Sequence, residues 1–269
     1  MANRPGAARQ NTAVIRPKQL DDAATTLVCL GFCGGGIGPY HPWAGVVAPD
    51  VDLALVCYPG RDGRFMEDFA TTWDELAEDA TRTVVSAVGD RPYVLFGHSM
   101  GGWMAFDVAT RLEARGSCVP DALVVSSCNA PARGLTPRDM FPARQDSDED
   151  LMTWMRTHGL VADHVLGDPD LLEMAVEIMR ADIAVRDTFH HNGAPGVTMP
   201  VQFLAGADDA VIEADAPAQW KELALGSYRH DQLPGGHFYT PEVWRTLPTR
   251  ISAINLEKRP RKAPGVPSP

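Results

Sequence analysis

The chain lacks any long apolar run. Its hydrophobic stretches are far too short to cross a bilayer, and the first twenty-odd residues carry Arg4, Arg9, Arg16 and Lys18 without an apolar core. Neither a membrane anchor nor a signal peptide is expected, and the implied compartment is the cytoplasm. Cysteine is scarce as well. There are five, an odd number, with no Cys-x-x-Cys pair and no histidine spacing suited to a metal. The pattern argues for a reducing compartment and against structural zinc. Cys29, Cys57 and Cys128 fall in expected strands, where a buried thiol acts as a small hydrophobe. Excess positive charge is also missing. With 24 Lys and Arg against 35 Asp and Glu the net charge is −11, which excludes nonspecific binding to nucleic acid.

What the chain does have is length and rhythm. Its 269 residues, 45% of them hydrophobic, suit one domain of the larger α/β kind. Apolar strands are expected over 26–31, 51–57, 93–96, 123–127, 201–205 and 228–233. Thr72 to Val88 reads as an amphipathic helix with Leu76, Ala80, Val84 and Val88 on its apolar face. Strand alternating with helix implies a mostly parallel central sheet with helices on both faces. The domain is expected over 23–257, between a flexible extension at 1–22 and a flexible Pro-rich, basic tail at 258–269.

The most informative stretch is Tyr93-Val94-Leu95-Phe96 running into Gly97-His98-Ser99-Met100-Gly101. Apolar residues then recur at helical spacing through Met104, Ala105, Val108, Ala109 and Leu112. A strand, a sharp turn and a helix would lift the Ser99 hydroxyl above the sheet at a helix N-terminus. A serine hydroxyl is a weak nucleophile and needs a base and a group that orients the base. In hydrolases with this elbow they follow in the order serine, acid, histidine. Asp208 and Asp209 follow the strand at 201–205, and His237 follows the strand at 228–233 beside Gly235 and Gly236. Both loops lie at the same sheet edge as Ser99. Of eight histidines, only His237 combines this order with a loop after a strand.

These pieces resemble the type II thioesterases of polyketide and nonribosomal peptide pathways, within the α/β-hydrolase superfamily. The likeness rests on Gly97 to Gly101, Tyr58-Pro59-Gly60-Arg61, Leu112 to Gly116, Arg180-Ala181-Asp182 and Pro234 to Phe238, all in the family's order. It implies an α/β-hydrolase fold with a helical lid. The family's Gly-Asp-x-Asp-Pro acid loop matches Gly206-Ala207-Asp208-Asp209-Ala210, which aligns Asp209 with the triad aspartate and leaves Asp208 as a second choice. The resemblance thus implies Ser99, Asp209 and His237 as catalytic residues. It also matches the family's His-Ala-Gly-Gly loop to Phe32-Cys33-Gly34-Gly35, so that the Cys33 and Met100 backbone N–H groups would form the oxyanion hole.

The glycines at 34–38 also suggest a dinucleotide loop. Pro39 and Pro42 follow in place of a helix start, however, and no acidic ribose partner is evident, so no cofactor is expected. Between 133 and 190 no strand is expected. Helices over Asp148–Arg156 and Asp168–Arg180 would form the lid insertion. Met140, Met152, Met155, Met174 and Met179 lie in it, either to fit acyl chains of varied length or to pack the lid onto the body.

The resemblance implies hydrolysis of acyl groups, aberrant or stalled, from the phosphopantetheine arms of acyl or peptidyl carrier proteins, with no metal and with a monomer as the expected state. Three alternatives stay open on the residues alone: a carboxylesterase, an acyl transferase or cyclase, and a noncatalytic binding protein on the same fold. Carrier proteins are acidic, so docking on an acidic chain calls for a local basic or apolar patch. Arg61, Arg64, Arg133, Arg138 and Arg144 are the cationic candidates.

Overall fold

A computed structural model describes residues 12–255, apart from 141, 145, 159, 162–164, 166, 192 and 194–195. The tail expected over 258–269 and residues 1–11 lie outside the described residues. Seven strands form one sheet: β1 (Val14–Lys18), β2 (Thr25–Leu30), β3 (Val51–Val56), β4 (Tyr93–His98), β5 (Ala122–Ser126), β6 (Val201–Gly206) and β7 (Tyr228–Leu233). Their spatial order is β1-β3-β2-β4-β5-β6-β7. Only β1 runs antiparallel; every other pairing is parallel. The α/β architecture is the one expected from the strand and helix rhythm.

Parallel strands need crossovers, and the crossover helices cover the sheet. Successive side chains on a strand point to opposite faces, so each strand feeds two cores. Val28, Leu30, Leu95, Val125 and Phe203 pack with α1 (Trp73–Val88), α2 (Met100–Arg115) and α5 (Ala216–Leu223). Leu27, Cys29, Val94, Phe96 and Leu204 pack on the other side against Tyr40, Trp43 and the C-terminal segment that includes α6 (Pro241–Thr246). The second face is therefore covered mainly by short 3₁₀ runs at Gly38–Gly45 and Leu247–Arg250.

One expected boundary needs correcting. The extension expected over 1–22 contains β1, which pairs Val14 with Val56 and Ile15 with Leu55. Pro17 and two cations disguise it as loop. The register shifts between Ile15 and Lys18, and an edge position with such an irregularity accepts a proline that a central strand would not.

The insertion at 133–190 holds two helices among the described residues, α3 (Asp148–Thr157) and α4 (Pro169–Arg186). Ser147 and Asp150 form a reciprocal capping box on α3, and the Asp168 side chain accepts from the Asp170 and Leu171 N–H groups of α4. The helix α4 continues six residues past the expected Arg180, because Ala181 to Arg186 holds no glycine or proline to end it. Leu151, Met155, Val176, Met179 and Ile183 form a small separate core between these two helices.

Candidate active site

Strand β4 hands over to α2 at Ser99, whose φ of 54° and ψ of −127° lie where few L-residues go. The turn is possible only because its neighbours carry no side chain. A Cβ on Gly97 would fall 1.8 Å from the Gly101 carbonyl oxygen, and one on Gly101 would fall 2.5 Å from that of Gly31. Two backbone bonds pin the strained residue. The Ser99 N–H donates to Ser126 O at 2.8 Å, and the Gly102 N–H donates to Ser99 O at 2.8 Å.

The loops after β6 and β7 come together beside this elbow. His237 Nε2 lies 2.9 Å from Ser99 Oγ, and His237 Nδ1 lies 3.0 Å from Asp209 Oδ2. An ionised carboxylate can only accept, so Nδ1 carries the imidazole proton and Nε2 is left to accept from the serine hydroxyl. The Asp209 side chain is fully buried and also accepts from the Val211 N–H at 2.9 Å. Burial works against its charge, but the His237 hydrogen bond and charge outweigh that and hold its pKa below the ordinary carboxylate value. Asp208 is exposed, and only its N–H is tied down, to Gly235 O. The choice left open between the two aspartates thus has a geometric answer. It is Asp209 that meets His237.

Cys33, Ser99, Met100 and His237 line one pocket. Met100 opens α2, so its N–H has no acceptor within the helix. The Cys33 thiol is pushed up to about 12, first by burial and then by the nearby Asp182 carboxylate. A thiol held neutral in this way is a poor nucleophile. His98 lies behind His237, with ring centroids 5.1 Å apart, and donates to or accepts from Ser126 Oγ at 3.0 Å. Burial, and then the His237 charge, depress its pKa well below the ordinary value, so it stays neutral. Among the described residues no cluster of His, Cys, Asp and Glu could hold a metal ion.

None of the five lid methionines lines the pocket. Met155 and Met179 are buried in the lid core, Met152 packs against that core, and Met140 and Met174 are half-buried elsewhere. Met179 touches a pocket residue, with its sulfur 3.6 Å from Cys33 Sγ. The lid instead contributes Arg138, Pro142, Trp154 and Arg186, and the body adds Trp103 and Ile212. Helical periodicity assigns Trp154 to a helix but does not say which face meets the pocket, and Arg186 lies beyond the expected helix end at Arg180.

The cationic docking surface is corrected at two of its five positions, Arg61 and Arg64. Arg61 and Arg64 are buried, Arg61 against Asp182 and Arg64 against Glu67 and Asp79, so neither can meet a partner. Arg138 pairs with Glu213 and Arg144 with Asp187. The Arg133 side chain lies outside the described residues. A buried guanidinium must be paired, and the partner of Arg61 lies 121 residues along the chain, too far to be read from local sequence.

The family model of the thioesterase domain matches residues 25–254, nearly the whole described chain. The chain belongs to the thioesterase family. Among curated relatives, a probable cadicidin biosynthesis thioesterase of Streptomyces griseus is 30% identical over 234 residues, covering 87% of this thioesterase and 61% of the relative. Thioesterase PikA5 of Streptomyces venezuelae is 29% identical over 231 residues, with 86% and 81% covered. Among solved structures, the type II thioesterase BorB from the borrelidin biosynthetic cluster superposes with a TM-score of 0.78 at 33% identity, covering 89% of this chain and 96% of BorB. No helix among the described residues is long and apolar enough to cross a membrane.

Proposed function

We propose that this thioesterase is a serine hydrolase that releases acyl groups, including aberrant or stalled ones, from the phosphopantetheine arms of acyl or peptidyl carrier proteins in secondary-metabolite biosynthesis. The observation that carries the reading is the hydrogen-bonded line from Ser99 Oγ through His237 to the buried Asp209 carboxylate. His237 Nε2 takes the Ser99 proton as Oγ attacks the thioester carbonyl carbon. The carbonyl oxygen becomes an oxyanion facing the Cys33 and Met100 N–H groups, while Asp209 stabilises the imidazolium. As the carbon–sulfur bond breaks, the pantetheine sulfur leaves with the proton from His237. His237 then removes a proton from water, whose oxygen attacks the acyl-serine, and Ser99 is regenerated as the acid departs. The likeness to BorB, a type II thioesterase from a biosynthetic cluster, favours a role in secondary-metabolite biosynthesis, and five free cysteines suit a reducing compartment such as the cytoplasm.

A panel of acyl groups loaded on phosphopantetheinylated carrier proteins tests this directly. Free acid should appear from the native enzyme, and Ser99→Ala should fold normally yet release essentially none, because it removes one half-buried hydroxyl and little packing. A fluorophosphonate should label Ser99. Substantial hydrolysis by folded Ser99→Ala would remove the serine as nucleophile, and faster turnover of simple oxoesters than of carrier thioesters would favour a carboxylesterase.

A further inference from the structure

Two sequence motifs, Tyr58 to Arg61 and Arg180 to Asp182, take no part in the triad, yet the fold joins them. Arg61 follows β3 and Asp182 belongs to the lid helix α4, 121 residues later. The Arg61 guanidinium meets the Asp182 carboxylate with both prongs, Nη1 to Oδ2 at 2.7 Å and Nη2 to Oδ1 at 2.5 Å. Both side chains are buried, at 4% and 2% exposure. Two buried charges in this geometry hold each other rigidly, and each is left costly if the other is lost.

The pair also grips the glycine-rich loop. Asp182 Oδ2 accepts from the Gly34 N–H at 2.8 Å, and Arg61 Nη1 donates to Gly35 O at 3.1 Å. Within the loop, the Gly35 N–H donates to Phe32 O at 2.9 Å. A peptide group is planar, so fixing the Phe32 carbonyl also fixes the Cys33 N–H on the same plane. Four consecutive peptide groups from Phe32 to Gly36 are thus held, two of them directly by the ion pair. Neither charged group lines the pocket that holds Ser99.

We propose that Asp182 and Arg61 are positioning residues that aim the Cys33 N–H at the reacting carbonyl oxygen, so that the lid helix sets the geometry of the oxyanion hole. This rests on the reading of the Cys33 N–H as an oxyanion donor. A donor displaced by a fraction of an ångström loses most of its effect in the transition state while leaving substrate binding nearly intact. The role therefore separates kcat from KM, which a merely structural pair would not.

The test measures hydrolysis of a soluble acyl-thioester, and the affinity of an alkylboronic acid, which forms a tetrahedral adduct with an active-site serine. Native enzyme is measured first, with Ser99→Ala as the blank; no native hydrolysis or boronate binding would overturn the proposed function and this inference together. Given both, Asp182→Asn should lower kcat by about 10- to 100-fold, leave KM within about threefold, and weaken boronate binding by the same factor as kcat. A lowered Tm with native kcat per folded molecule and native boronate affinity would overturn the inference. If Asp182→Asn fails to fold, Arg61→Lys carries the test, since it keeps the charge but cannot make both bonds to Asp182. A smaller loss, again equal in kcat and boronate affinity, is expected there, and native values would overturn the inference.

Discussion

At His237 the imidazole is held from two sides, by a serine hydroxyl and by a carboxylate that is wholly buried. Replacing that carboxylate with an amide keeps its shape but lets it donate to Nδ1, which turns the ring to the wrong tautomer. Asp209→Asn should therefore reduce kcat on the order of 10³- to 10⁴-fold. Asp208→Asn, on an exposed side chain, should stay within about threefold of native, since surface substitutions disturb little. Steady-state hydrolysis of a soluble acyl-thioester compares the two, and the reverse ranking would move the acid by one residue. Chain order and loop position made Ser99 and His237 legible in the sequence. Adjacent aspartates in one loop are not separable that way, because which carboxylate turns inward depends on the Val211 N–H and on burial supplied by distant chain. Arg61 was misread for the same reason: a charged residue after a strand reads as surface until its partner, 121 residues on, is known.

The elements most legible in the sequence were those whose pattern is local. Strands β2, β4, β6 and β7 fall within two residues of their expected bounds, since apolar runs between turn residues leave few other folds. The strand β1 is too short and too charged to carry such a pattern, and it exists because the edge of β3 needs a partner. Beyond the His237 loop, α6 begins at Pro241, capped by the Thr240 side chain. A tight local constraint lies at the start of α2. Gly101→Ala would bring a Cβ to 2.5 Å from Gly31 O and 2.8 Å from Leu30 O, both backbone atoms that cannot swing aside. We expect a loss of about 1–3 kcal/mol, with activity falling too as the elbow shifts. Gly38→Ala meets nothing within 4 Å and should stay within about 0.5 kcal/mol of native. Chemical denaturation of both variants checks the difference, and equal midpoints would mean that α2 can slide.

Across the whole molecule, acid should weaken the fold through a group buried behind the site. His98 is fully buried, and its pKa lies well below the ordinary 6.5 because burial, and then His237, oppose its charge. Below about pH 6.5 the unfolded chain takes up a proton there that the native protein refuses, so stability falls by up to about 1.4 kcal/mol per pH unit. Above that pH the contribution is complete. His98→Gln should flatten the decline of Tm between pH 6.5 and 5 relative to native protein, and parallel curves would show that His98 is not responsible. The order of the sheet has a consequence of another kind, for the chain as it is made. The serine sits on the central strand, but its histidine lies 138 residues later, on the loop after the last strand. A ribosome delivers the nucleophile well before the base. On the proposed mechanism, a nascent or prematurely terminated chain that ends between the elbow and residue 237 would carry a serine with nothing to activate it, so hydrolytic power would come only when the sheet is finished.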